Sequence, residues 1–209
     1  MGLFLSVFFA GLIAEKFQSW RLVFVFFSIP SLLTSFMIFK YIQEPPQVST
    51  GGKNLKILTA YSEALSSRNL WLMYLSGFVL LFAYWVIIAW MPSIYEEIGI
   101  KTVTNRSLLS GIMGLIGIPA MFFSGMFSDR IVRKGTGRKG FIVIMIFMWA
   151  VMMLLIAFFV ENRASSLLIS IFFFGSALFV FGVWPPYFAM LSEMVPVEIL
   201  GTTFGVANF

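Results

Sequence analysis

The chain has 209 residues, of which 60% are hydrophobic and only 11% charged, with a net charge of +5. A water-facing globule is nearer half apolar and a quarter charged, so there is too little polar surface here to cover one. The absence of His and Cys excludes imidazole and thiolate metal sites, Cys nucleophiles and Ser-His triads, and the confinement of the 14 basic and 9 acidic residues to six short stretches argues against a nucleic-acid surface.

In chain order, residues 1–14 are apolar but too short to cross a bilayer, and Met1 carries neither a positive leader nor a cleavage site, so they read as the end of a helix cut through rather than a signal peptide. After the charged stretch Glu15 to Arg21 comes the charge-free run 22–39, uniformly greasy with Phe24, Phe26, Phe27 and Phe39, which predicts a helix facing lipid over much of its surface. Lys40 to Arg68 is the one long connection. It opens Glu44-Pro45-Pro46 and passes through Gly51-Gly52, a linker composition. From Asn54 to Ser67, Leu55, Leu58, Tyr61 and Leu65 stand opposite Lys56 and Glu63, the pattern of either a short surface helix or an ordinary solvated linker.

Four further charge-free runs follow, at 69–95, 107–128, 140–160 and 164–192, and with 22–39 their lengths are 18, 27, 22, 21 and 29 residues. A hydrocarbon core of about 30 Å needs about 20 apolar helical residues, and a charge at its centre costs roughly 2.5–3.5 kcal/mol, which accounts for the segregation. Runs 69–95 and 164–192 mix in Tyr84, Trp85, Ser176, Trp184 and Tyr187 and contain Pro92 and Pro185-Pro186, so both are expected to be broken helices, as membrane helices tolerate where a cavity or a neighbour re-satisfies the backbone. Run 107–128 has Gly111, Gly114, Gly117 and Gly125, a small-residue face for a close helix neighbour. Run 140–160 is greasy throughout, and residues 199–209 are again too short to span. The expectation is an all-α membrane protein, with five full spans and two truncated ones.

The spans place alternate charged stretches on opposite sides. The stretches 40–68, 129–139 and 193–198 together carry nine Lys and Arg against five in the other three, so the positive-inside rule puts them in the cytoplasm.

The loop after run 107–128 reads Gly125-Met126-Phe127-Ser128-Asp129-Arg130-Ile131-Val132-Arg133-Lys134. It resembles the signature of the major facilitator superfamily, Gly-x-x-x-Asp-Arg-x-Gly-Arg-Lys, with Val132 in place of the second Gly. Trp20-Arg21 and Pro196 to Gly201-Thr202 resemble two further phrases of that family. The resemblance implies twelve helices in two related sixes, with the signature after the second and again after the eighth. Since four apolar stretches precede it, this loop would be the second copy. Residues 1–41 would then hold helices five and six, 42–68 the central cytoplasmic linker, and 69–209 helices seven to ten with the start of eleven.

What the resemblance implies for function is transport of a small solute across the cell membrane by alternating access, with no cofactor and no catalysis. Tyr84, Trp85, Ser176, Trp184 and Tyr187 would face substrate, with helix packing the alternative role for each. Gly125, Asp129, Arg130, Arg133, Lys134 and Glu193 would gate. Asp129 would face the N-terminal end of helix five, and Arg133 or Arg130 would reach Glu193. The stretch Phe82-Ala83-Tyr84-Trp85 to Tyr95 is similar to helix seven of organic-anion branches. No charged side chain stands inside a span, so a coupling acid, were protons the partner ion, would lie elsewhere. A channel or an ABC-type permease subunit is the alternative, the latter because 54–67 could imitate a coupling helix.

Overall fold

A computed structural model of the chain describes residues 2–43, 61–62, 64–65 and 67–208. Most of the linker, and with it the amphipathic segment Asn54 to Ser67, falls outside the described residues. The charge-free runs all form helices, because a backbone in hydrocarbon must satisfy its own N–H and C=O groups. They are α1 (Gly2–Phe17), α2 (Arg21–Tyr41), α3 (Arg68–Glu97), α4 (Val103–Arg133), α5 (Lys139–Glu161), α6 (Ser166–Gly182) and α7 (Trp184–Glu193). A 3-10 turn, Val197–Ile199, leads into α8 (Leu200–Ala207). Five stretches are long and apolar enough to cross a membrane, with α6 and α7 counted together as one of 28 residues.

The prolines behave unequally. Pro92 lies inside α3, which continues unbroken to Glu97, against the expectation of a break there. One missing N–H in a long helix is tolerated where neighbours support the backbone. Pro185 and Pro186 do interrupt the helix. They stand at the start of α7, after Val183, where two consecutive missing donors cost least.

Three connections turn by the same device, two of them at a glycine and one, between α5 and α6, at Arg163 with φ +49°. Gly135 has φ +83°; its N–H donates to the Val132 carbonyl at 2.9 Å and that of Thr136 to Ile131 at 3.3 Å. Gly99, at φ +99°, repeats the pattern after α3, its N–H on Glu96 and that of Ile100 on Tyr95. In each, a residue in the left-handed region satisfies the last carbonyls of the helix.

Packing centres on α4. On one side α1 runs antiparallel to it, Phe4 beside Gly111 and Gly11 against Ser107. On the other side α6 comes so close that a Cβ on Gly117 would sit 2.7 Å from the Phe181 ring. α5 packs on α6 with one stripe, Ile142, Trp149 and Ile156, buried at intervals of seven. α2 has no fully buried residue, as suits a helix apolar all round when lipid is its solvent. Half of the α6–α7 span is buried, including Phe173, Ala177, Val180 and Phe181, which join Leu80 and Tyr95 of α3 and Met113 of α4 in the main core.

Candidate functional site

Two of the helices that meet at the Asp129 end of the bundle bring an acid to the wrong pole. Asp129 is near the end of α4 and Glu193 is the last residue of α7, and helix C-termini carry about half a negative charge. The turn through Gly135 brings the chain back so that Arg138, the residue before α5, stands between them. Its Nε donates to Glu193 Oε1 at 2.9 Å, and its Nη1 to Asp129 Oδ1 at 2.8 Å and to Ser128 Oγ at 2.7 Å. The Arg138 side chain is 11% exposed, whereas Asp129 and Glu193 are 56% and 53% exposed. Burial alone would lower the guanidinium's pKa, but the hydrogen bonds to Asp129 and Glu193 outweigh it and hold the group above its usual value.

The arginine that reaches Glu193 is therefore Arg138, and not Arg133 or Arg130. Both of those still belong to α4 and stay on its surface. The Arg130 guanidinium lies 5.8 Å from the Phe127 ring centre, and Arg133 and Lys134 are exposed. Among the described residues none of the three forms an ion pair. Gly125 marks where α4 passes α7, since a Cβ there would lie 3.6 Å from Pro185.

A second expectation also fails. Phe4 stands beside Gly111 and Glu15 beside Thr104, so α1 covers only the first part of α4. Asp129 lies eighteen residues beyond Gly111 in the sequence, about 27 Å at 1.5 Å per residue. It does not face the described start of α1.

The five aromatic and polar residues divide. Ser176 and Tyr187 are fully buried in helix packing: Ser176 Oγ donates to the Phe173 carbonyl at 2.7 Å, and the Tyr187 hydroxyl crosses to the Met73 carbonyl of α3 at 2.8 Å. Trp184 is part-buried, 5.7 Å from Tyr187 by ring centres. Tyr84 is half-buried edge-on to Phe181, and Trp85, mostly exposed, stands 5.6 Å from Tyr84. A recess of about 670 Å³ opens between α3 and α5 along Leu75, Val79, Trp149 and Met153, and none of the five lines it.

At the opposite end of the bundle is a cluster that the sequence reading did not pick out. The Thr104 N–H, near the start of α4, donates to Glu15 Oε2 of α1 at 2.6 Å, and Arg106 pairs with Glu96 of α3. Glu15 stands beyond the apolar residues 1–14, and its hydrogen bonds from Thr104 hold its carboxyl below the usual carboxylate range.

A sequence model of the Major Facilitator Superfamily matches residues 1–209, the whole chain. Neither a curated protein nor a solved structure matches it. With five membrane-length helices in place and that match running from end to end, this multi-pass membrane protein belongs to the Major Facilitator Superfamily, a family of secondary transporters.

Proposed function

We propose that the chain contributes the end of helix five, helices six to ten and the start of eleven to a transporter that moves a small organic anion across the cell membrane by alternating access. The observation that carries this reading is the Arg138 cluster. Alternating access asks each half to move as one body about a central site. Arg138 joins the ends of α4 and α7 through the loop that begins α5, so three helices of the second half are tied at the end that the basic loop 129–139 places in the cytoplasm. A loop that only sets topology needs its positive charges and nothing more.

The two roles separate in a transport assay. In the complete reading frame, Asp129→Asn and Glu193→Gln keep every basic residue, so insertion and expression stay near normal under either role. As parts of the tie, both are expected to cut uptake severely. Wild-type uptake in both variants would leave the loop with a topogenic role alone.

For the substrate, Tyr84 and Trp85 are the proposed contacts. They are adjacent aromatics on α3, and their similarity to helix seven of organic-anion branches supports that class. Uptake of labelled small organic acids, measured against organic cations and neutral sugars, tests it. Trp85→Ala should raise KM for the transported acid with little change in expression. A proton-coupling acid would lie outside the apolar runs 22–39, 69–95, 107–128, 140–160 and 164–192, which hold no charged side chain.

A further inference from the structure

The start of α4 lacks a cap of its own. Thr102, at the cap position, makes no side-chain hydrogen bond to the helix, which leaves its first N–H groups and their partial positive charge in need of an acceptor. The acceptor comes from another helix eighty-nine residues away in sequence: Glu15 of α1 takes the Thr104 N–H at 2.6 Å. Arg106, one turn into α4, adds its charge to the attraction on Glu15 while pairing with Glu96 at the end of α3. Three helices are thus joined at the end remote from Arg138. Behind this contact the helices are as close as backbones allow, with no room for a Cβ on Gly11 against Ser107.

We propose that Glu15 is a latch that holds α1 to the start of α4 and must release whenever that end of the bundle opens. The proposal rests on the reading above, in which α1 belongs to the first half and α4 to the second. The Arg138 cluster binds elements of the second half alone and can persist through the cycle. The Glu15 contact joins the two halves and cannot. A carboxylate on a backbone amide at a helix start is a contact suited to being made and broken. It is strong when dry, yet both partners are readily taken up by water when the helices part.

The test uses the complete reading frame and exploits the absence of cysteine from residues 1–209; any cysteine elsewhere would be replaced first. A single cysteine at Ser107, buried behind the latch, reports opening through its rate of reaction with a water-soluble maleimide. Glu15→Ala should raise that rate on the order of tenfold, the shift expected from losing one charge-assisted hydrogen bond. Glu15→Gln, which keeps an acceptor without the charge, should fall between. A rate unchanged in Glu15→Ala would overturn the latch.

A second arm tests the underlying reading separately. Cysteines at Glu15 and Thr104, joined by a short bifunctional thiol reagent, should abolish uptake and recover it on reduction. Uptake that survives the cross-link would show that α1 and α4 need not part there, and would remove the two-halves reading with the latch. Uptake lost to the cross-link alongside an unchanged labelling rate would remove the latch alone.

Discussion

Arg138 and Glu193 lie fifty-five residues apart in sequence and 2.9 Å apart in space, and each removes a cost from the other. Glu193 ends α7, where the helix dipole disfavours an acid, and Arg138 is a cation with only 11% of its side chain exposed. Asp129 duplicates Glu193, so the arginine has two acids, each more than half exposed.

That redundancy predicts a non-additive pair. Glu193→Gln or Asp129→Asn alone leaves Arg138 one acid, and each should cost about 1 kcal/mol, as for a part-exposed pair. The double variant strands the buried guanidinium and should cost about 3–5 kcal/mol. Thermal unfolding of the four proteins in detergent measures the coupling. Additive losses would mean that Arg138 is solvated well enough to need neither acid. Arg138→Lys should resemble Arg138→Ala, because one ammonium cannot present the guanidinium's divergent donors to Asp129, Ser128 and Glu193 together.

The Val132 departure from the signature makes a second prediction. Val132 lies inside α4 and the turn is made three residues later by Gly135 at φ +83°. Restoring the signature with Val132→Gly should therefore bring no gain and cost about 0.5 kcal/mol of helix propensity. Gly135→Ala, forced into the left-handed region, should cost about 1–2 kcal/mol. It should also loosen the Arg138 tie, which depends on that turn. A stabilised Val132→Gly would mean that the loop prefers the shorter turn.

How far the sequence showed these things depends on what each feature rests on. Charge segregation marked the helices because the penalty for a charge in hydrocarbon acts on every residue of a span. The run 140–160 became α5, Lys139–Glu161, and 69–95 became α3, Arg68–Glu97. It underestimated α4, which continues through Asp129 to Arg133, because charges are excluded from the hydrocarbon and not from helices. Arg138 escaped notice since the signature's offsets stop at Lys134 and the displaced glycine moves the working arginine outward. A glycine in the loop after a helix was the available clue. The Glu15 contact left no clue, because its donor is a backbone amide that every residue except proline possesses.

The glycines of α4 predict a graded response. At Gly117 a methyl would meet the Phe181 ring at 2.7 Å, and the ring is buried in the core. Gly117→Ala should lower stability by about 1–3 kcal/mol through overpacking. At Gly125 the nearest atom lies at ordinary contact distance, 3.6 Å. Gly125→Ala should be neutral, or stabilising by about 0.5–1 kcal/mol because alanine is the better helix former. Thermal unfolding of the two single variants decides the matter, and an equal response in both would overturn the close approach of α4 and α6 at Gly117.

The proposed orientation makes the last prediction, and it uses the same absence of cysteine. Thr102 and Gly137 are exposed residues in the turns before and after α4. That helix is 31 residues long, about 46 Å at 1.5 Å per residue, more than the roughly 30 Å of hydrocarbon it must cross. The two positions therefore stand on opposite sides of the membrane whichever way the chain is inserted. The basic loop 129–139 puts Gly137 inside, where it shares a side with the Arg138 tie, and leaves Thr102 outside with Glu15. In intact cells an impermeant thiol reagent should label Thr102→Cys and spare Gly137→Cys, and permeabilised cells should label both. The reverse pattern in intact cells would turn the molecule over. The Glu15 end would then face the cytoplasm and the Arg138 tie the outside, while every distance within the bundle stayed the same.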